Sequence, residues 1–280
     1  MKNMLYIIVT LSLTHLSACV PKAMSETRIG VKALNSKTTF TELNEAEFWQ
    51  QQFYDNGSRN WQEKWFLDGK ESNITHSENG MTFTTGELEM APSHHAVLWT
   101  KQSFVGDIKI EYDFTRLDTE NKWATMLYVQ ATGVDDGIYH KDISQWRELR
   151  NIPYMKTYFN HMNLLHISYA SYGKDDIGVD KDYIRARRYP VKEGEVFRTD
   201  TVIEGDVFTS GFFVPNKTYH IIVIKKQHNL FMQVTNDNKK SRLFSWNTSK
   251  FPLVKEGRIG LRQMWRKSAT YRNFTVSTLK

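Results

Sequence analysis

Cysteine is almost absent from this sequence: Cys19 is the only one among 280 residues. The apolar stretch from Met4 to Leu16 is too short to cross a bilayer as a helix. The chain also lacks an internal repeat, a Pro/Gly/Ser-rich linker, a Gly-rich phosphate loop and a Gly-x-Ser-x-Gly elbow. These absences argue against a disulfide framework, a repeat array, a nucleotide-phosphate site and an α/β-hydrolase nucleophile.

The first residues predict a bacterial lipoprotein. Lys2 precedes the apolar stretch, and Leu16-Ser17-Ala18-Cys19 has the form of a lipobox. Residues 1–18 are therefore expected to be a signal peptide, and residues 19–42 an acylated Cys19 with a polar tether. Val20 follows instead of an aspartate, which favours the outer membrane of the cell envelope. An ordinary secretory peptide with an incidental cysteine is the alternative.

The charge of the chain favours an anionic partner. The net charge is +6 and the sequence pI is about 9.1, and a basic surface attracts polyanions. Nucleic acid is not expected as a partner of a lipoprotein outside the cytoplasm, so an acidic polysaccharide is the predicted partner, with lipopolysaccharide or plain solubility as alternatives. The remaining length fits one large domain, and we expect a monomer.

Strand-like alternation dominates from Met81 onward. Between Asp107 and Phe114, apolar residues at every second position alternate with charged ones. Further segments of this kind are Met81–Thr85, Glu87–Met90, Ala96–Trp99, Thr125–Ala131, Leu164–Ala170, Tyr183–Tyr189, Tyr219–Lys226, Leu230–Val234, Leu243–Trp246, Ile259–Met264 and Tyr271–Thr278. With helices expected only at Glu45–Gln52 and Ser144–Arg150, the pattern predicts an all-β protein. We expect a single jelly-roll sandwich of two antiparallel sheets over residues 43–280.

Two segments, Leu164–Tyr169 and Gly257–Met264, resemble the YesU-type proteins, a family of uncharacterised domains found beside pectin and other polysaccharide-utilisation genes. The resemblance covers roughly residues 80 to 277. It implies a concanavalin-A-like jelly roll and a role in carbohydrate breakdown, without a demonstrated reaction. The lipobox and the insert from Val191 to Phe213 set this chain apart from simpler members and leave the substrate open.

A lyase that cleaves a uronic-acid polysaccharide by β-elimination is the predicted activity. Such an enzyme neutralises the sugar carboxylate, removes the adjacent proton and protonates the leaving oxygen. His166 is the predicted base, and Tyr169 and Tyr183 are the candidate acids. Arg185 and Arg187 share a strand face and are predicted to bind the carboxylate. The other predicted substrate-binding residues are His161, Tyr189, Arg262, Gln263 and Trp99.

The same residues also have purely structural explanations. His166 faces away from Tyr169 and its apolar neighbours, so Tyr169 belongs to the core if that side is buried. His166 is then either a cleft residue or a buried hydrogen-bonding partner. Arg262 and Gln263 point to opposite faces, and Gln263 shares the apolar one, which favours Arg262 for direct contact with a ligand.

Two further functions stay open. A non-catalytic glycan-binding lipoprotein needs only a basic and aromatic face. A jelly-roll glycoside hydrolase needs two carboxyl groups; Glu111 with Asp113, or Glu87 with Glu89, have same-face spacing but lack the Glu-x-Asp-x-x-Glu pattern. No cofactor and no metal ligand set is predicted.

Acidic loops leave a structural calcium ion open. Asp135-Asp136-Gly137 and the stretch from Asp175 to Asp180 supply carboxylates, but neither matches the EF-hand loop.

Overall fold

A computed structural model describes residues 35–174 and 177–279. The predicted signal peptide, Cys19 and most of the predicted tether lie outside the described residues. The described residues from Phe40 onward form one compact unit. Across the described ranges, no helix has both the length and the apolar character needed to span a membrane.

Strands make up most of the described chain. They are β1 Trp49–Asp55, β2 Trp65–Asp68, β3 Ser72–Ser77, β4 Gly80–Thr85, β5 Ala96–Val105, β6 Ile108–Arg116, β7 Thr125–Gly133, β8 Met162–Lys174, β9 Asp180–Tyr189, β10 Val202–Phe208, β11 Thr218–Lys226, β12 Asn229–Asn236, β13 Ser241–Asn247, β14 Glu256–Gln263 and β15 Ser268–Leu279. The helices are α1 over residues 35–45, α2 Met155–His161 and α3 Phe197–Asp200, with 3-10 turns at Trp61–Glu63, Pro92–His94 and Ile143–Arg150.

The strands form two antiparallel sheets, which confirms the predicted all-β jelly-roll sandwich. The eight-stranded sheet has the order β13-β12-β11-β6-β15-β4-β3, and β1 also pairs with β15. The seven-stranded sheet has the order β10-β9-β8-β7-β14-β5-β2. The predicted helix at Glu45–Gln52 is wrong, because its second half belongs to β1. The helix predicted at Ser144–Arg150 is present as the 3-10 turn Ile143–Arg150.

The main core lies between the sheets. On β6, Ile108, Ile110, Tyr112 and Phe114 are buried there, while the charged residues between them are only partly covered. Strands have a side-chain period of two, so one alternating segment supplies one core face and one outer face. Each large apolar side chain buried in this way stabilises the fold by about 1.5–3 kcal/mol.

A second apolar cluster covers one part of the outer face of the seven-stranded sheet. Residues 134–161 fold over this face, and Trp146 and Tyr158 pack with Trp99 and Tyr128. The buried Asp68 carboxylate holds this covering segment in place, because it accepts hydrogen bonds from Trp99, Arg150 and Tyr158. The neighbouring part of the same face carries a pocket.

Helix α1 contributes to a smaller apolar cluster on the eight-stranded sheet. Phe40 is buried with Ile222, Ile224 and Phe231, and its ring centroid lies 6.0 Å from that of Phe231. The packed part of the chain therefore includes Phe40, three residues before the predicted domain start at residue 43.

Candidate functional site

A pocket of about 830 Å³ opens on the outer face of the seven-stranded sheet. Strands β7 to β10, helices α2 and α3 and the turn after β14 form its walls. The lining residues are Trp123, Ala124, Met126, Met155, His166, Ser168, Tyr172, Lys174, Tyr183, Arg185, Arg187, Phe197, Arg198, Val202, Asp206, Phe208 and Met264.

The pairing of β8 with β9 brings three predicted site residues, His166, Arg185 and Arg187, together with Ser168. His166 lies opposite Arg187, and Ser168 lies opposite Arg185, in the register of the two strands. Because alternate side chains of a strand share a face, these four side chains and Tyr183 all point to the pocket. His166, Tyr183, Arg185 and Arg187 of the predicted site thus line one pocket, and their catalytic and substrate-binding roles stay predictions.

His166 forms two short hydrogen bonds at the base of the pocket. Its Nδ1 lies 2.9 Å from the Tyr189 hydroxyl oxygen, and its Nε2 lies 2.6 Å from Ser168 Oγ. Burial, together with the positive charge of Arg187, holds the pKa of His166 well below its ordinary value. The ring is therefore neutral at physiological pH, and each ring nitrogen is already engaged in a hydrogen bond.

The two arginines share one carboxylate. Asp206 Oδ1 accepts a hydrogen bond from Arg187 Nη1 at 3.0 Å, and Oδ2 accepts one from Nη2 at 3.1 Å. Arg185 Nε lies 3.2 Å from the same Oδ2. This two-point arrangement is the one that guanidinium groups adopt with carboxylates in general.

Aromatic rings fix Arg185 and form part of the pocket wall. The Arg185 guanidinium carbon lies 3.8 Å from the centre of the Tyr183 ring and 5.4 Å from that of Phe208. Burial raises the pKa of Tyr183, so its hydroxyl keeps its proton at physiological pH. Tyr183 can thus donate a proton or a hydrogen bond to a bound molecule.

Trp123 supplies a second aromatic surface. It adopts a left-handed backbone conformation with φ of 65°, which is uncommon for a residue with a bulky side chain. Its ring packs against Trp265 at 4.4 Å, and Trp265 packs against His95 at 4.0 Å. The indole is therefore supported from behind while it lines the pocket.

Six predicted site residues are not part of the pocket lining. Tyr169, a candidate acid, is a core residue, because it points to the inter-sheet side with Leu165 and Ile167. Gln263 also faces that side, with Nε2 3.3 Å from the Phe83 carbonyl oxygen. Trp99 is fully buried beneath residues 134–161.

His161, the fourth of these residues, stacks on Tyr139 with ring centroids 3.6 Å apart. Partial burial lowers the pKa of its imidazole.

Tyr189 and Arg262 lie behind the pocket. Tyr189 is buried; its hydroxyl oxygen hydrogen-bonds to His166, and its ring packs against the lining residue Phe197 with ring centroids 5.9 Å apart. Arg262 is also buried; its Nη2 lies 2.8 Å from both His95 Nδ1 and the Pro153 carbonyl oxygen. Burial and the neighbouring Arg262 charge lower the pKa of His95 to about 2, so this histidine is a neutral acceptor.

Several lining residues were absent from the sequence prediction. Trp123 precedes β7 in a turn, and Arg198, Asp206 and Phe208 belong to the insert between Val191 and Phe213. This insert lacks a clear period-two pattern, so the sequence does not predict that it forms α3 and the edge strand β10. The length of the insert, which directly follows the strand that carries Arg185 and Arg187, is the sequence feature that points to it.

The carboxylate pairs considered for glycoside hydrolysis lie elsewhere. Asp113 pairs with His220 at 2.9 Å and Glu111 with Lys109 at 3.1 Å, both on the eight-stranded sheet. Glu89 pairs with Arg266 at 3.1 Å. Among the described residues, Asp206 is the one carboxylate that lines the pocket, whereas hydrolysis requires two.

No His, Cys, Asp or Glu side chains of residues 35–174 and 177–279 gather in a group of three that could hold a metal ion. In one of the two acidic loops considered for calcium, Asp135 Oδ1 accepts a hydrogen bond from the backbone of Lys141. In the other, Asp175 and Asp176 lie outside the described residues.

Comparison with known proteins shows the fold. No family model matches the chain, and no curated protein matches it. A Bacillus subtilis protein of unknown function with a galectin-like fold aligns with a TM-score of 0.62 and 18% identity, over 83% of this chain and 100% of that chain.

Two further solved structures align at lower identity. Peanut lectin, solved with a nine-residue peptide, aligns with a TM-score of 0.52 and 14% identity, over 81% of this chain and 97% of its own. The exoplasmic/lumenal domain of VIP36, in a form bound to Ca2+ and Man3GlcNAc, also gives 0.52, at 11% identity over 82% of this chain and 91% of that chain. The jelly roll is thus of the galectin and legume-lectin kind.

Proposed function

We propose that this protein binds an anionic polysaccharide in the pocket on the outer face of its seven-stranded sheet. The observation that carries the proposal is the composition of the pocket. Lys174, Arg185, Arg187 and Arg198 line it, and Asp206 is the one carboxylate among the lining residues that the structure describes. Aromatic rings stand beside these charges. Sugar rings stack on aromatic faces, and guanidinium groups bind carboxylates at two points.

The structural neighbours support binding in preference to catalysis. Peanut lectin is a lectin by name, VIP36 was solved with Man3GlcNAc, and the lectin UEA-II, with a TM-score of 0.52, was solved with galactose. A glycan-binding role requires only the pocket surface, and it makes no demand on the basicity of His166.

Affinity electrophoresis of the purified full chain tests this proposal. Gels that contain a polyuronate are expected to retard the protein, whereas gels with a neutral polysaccharide are not. Arg185→Gln and Arg198→Gln should each weaken retention by about tenfold or more, since a hydrogen bond to a charged group contributes about 1.5–3 kcal/mol. Arg272→Gln, an exposed change of equal charge on the other sheet, is the control. Equal losses in all three variants would assign retention to overall charge, and the pocket proposal would be wrong.

β-Elimination of a uronate polymer is the second candidate, favoured by the presence of His166 and Tyr183 beside the two arginines. For His166 to act as base, one of its two hydrogen bonds must open, and its lowered pKa weakens it as a proton acceptor. A rise in ultraviolet absorbance from unsaturated sugar ends during incubation with polyuronates would support the lyase. Retention in affinity gels without such a rise leaves binding as the function.

Lipid anchoring at Cys19 and membership of the YesU-type proteins belong to the same proposal. An anchored binding protein would hold a polymer at the cell envelope, where its partners in degradation act. Expression with a radiolabelled fatty acid tests the anchor. The intact chain should carry the label and appear in the membrane fraction, whereas Cys19→Ser should carry no label and should no longer appear in that fraction.

A further inference from the structure

Asp206 reaches the pocket from an irregular part of an edge strand. β10 pairs with β9 at Val202, Ile203, Val207 and Phe208, and the register breaks between Ile203 and Val207. Residues 204–206 form the intervening bulge, in which Gly205 has a φ of 118°. A bulge re-aims side chains, and here it turns the Asp206 carboxylate toward Arg185 and Arg187.

Both guanidinium groups have supports other than Asp206. Arg187 Nη1 also donates to the carbonyl oxygen of Ala186 at 2.8 Å, and the Arg187 side chain is only 9% exposed. Arg185 is held by the rings of Tyr183 and Phe208. The arginines therefore keep their positions if the aspartate leaves, and the pair would remain an intact receptor for a carboxylate.

The Asp206 side chain is the less firmly held partner. It is 25% exposed and sits on a bulge that lacks ladder pairing with β9. Segments with few backbone hydrogen bonds open at the lowest free-energy cost. Movement of the bulge can thus separate Asp206 from the arginines without breaking the strand pairs on either side.

We propose that Asp206 occupies, in the free protein, the subsite that binds the carboxylate of a uronate residue, and that such a ligand displaces it. The inference rests on the proposed function, since it names the subsite and the ligand group within the same pocket. One carboxylate replaces another, so neither guanidinium is left buried without a counter-charge. A neutral sugar offers no such exchange, so a neutral sugar is not expected to displace Asp206 from the arginines.

Calorimetric titration of the purified full chain with a uronate oligosaccharide, and with the same oligosaccharide after reduction of its carboxyl groups, tests the inference. Asp206→Asn removes the competing charge, so the uronate should bind about tenfold or more tightly than it binds the wild type. The reduced oligosaccharide should gain little. Glu204→Gln is the matched control, because Glu204 lies on the same bulge but pairs with Lys250 and is absent from the pocket lining.

Each outcome decides between the alternatives. If Asp206 only positions the arginines, Asp206→Asn will weaken uronate binding or leave it unchanged, and the displacement idea is then wrong while the proposed function stands. If wild type and Asp206→Asn both fail to bind any uronate, the proposed function falls together with the inference. An equal gain from Glu204→Gln would assign the effect to overall charge and overturn the displacement idea.

Discussion

Nε2 of His166 lies 2.6 Å from Oγ of Ser168, and this pair forms the base of the pocket with both residues almost fully buried. Tyr189 completes the chain through its hydroxyl at 2.9 Å from Nδ1. A buried polar group that loses its hydrogen-bond partner destabilises the fold. His166 therefore stabilises the base of the pocket in addition to lining it.

Replacing His166 by alanine should therefore lower the free energy of unfolding. Two buried hydroxyl groups lose their partner and a cavity forms, so we expect a loss of about 2–4 kcal/mol. Urea denaturation measures the loss. His166→Gln, which can still hydrogen-bond, should be less destabilising. Equal stability of the alanine variant and the wild type would show that these contacts do not contribute to folding.

Acidification should destabilise the protein through its buried neutral histidines. The unfolded chain binds a proton at His95 with a pKa near the ordinary 6.5, whereas the folded chain does so only at about 2. Between these values the unfolded state holds more protons, so stability is complete above the unfolded pKa and is lost as the pH falls. His95 thus contributes a slope of up to about 1.4 kcal/mol per pH unit, and His166 adds to it in the same direction.

Unfolding free energies measured at several pH values check this slope. His95→Gln keeps an acceptor for Arg262 but binds no proton, so its stability should fall less steeply below about pH 6.5 than that of the wild type. Identical slopes for the variant and the wild type would contradict a neutral buried His95.

Trp123 should contribute to ligand affinity. Loss of an aromatic stacking surface costs about 0.5–1.5 kcal/mol, so Trp123→Ala should weaken oligosaccharide binding about threefold to tenfold, while Trp123→Phe retains most of it. Fluorescence or calorimetric titration measures the change. Phe48→Ala, which removes an exposed ring elsewhere, should leave affinity unaltered. If Trp123→Ala binds the oligosaccharide as tightly as the wild type does, Trp123 does not act as a stacking surface.

The buried ion pair of Asp68 and Arg150 should be essential for the covering segment over the sheet. Their atoms lie 2.6 Å apart with both side chains fully buried. Asp68→Ala leaves the Arg150 charge and two donors without a partner, and we expect a loss of about 3–5 kcal/mol in the free energy of unfolding. Glu204→Gln, which breaks an exposed pair with Lys250, should change stability little. Comparable effects of the two variants in urea denaturation would refute the importance of burial.

Period-two patterns explain what could be predicted from the sequence. The alternation on β6 and β9 indicated which side chains share a face, and from it followed the convergence of Arg185 and Arg187 with Tyr183. The same reasoning explains why Gln263 faces the core. These inferences depend only on strand geometry, which is local to the chain.

The remaining features depend on contacts between distant segments. Alternation alone does not reveal that residues 134–161 cover Trp99, or that the insert returns Asp206 to the arginine strand. The packing of the second sheet also determines which face of β8 lies in the core. Tyr169 is on that face and is therefore an interior residue. Tertiary packing, rather than local preference, decides these positions.

The affinity of the full chain for one oligouronate, measured before and after its carboxyl groups are reduced to alcohols, tests most directly whether the pocket binds an anionic glycan. We expect measurable binding of the charged oligosaccharide and a loss of at least about tenfold for the reduced one, because Arg185 and Arg187 then have no carboxylate to bind. Equal affinity for both oligosaccharides, or binding of neither, would contradict a pocket built for an anionic glycan.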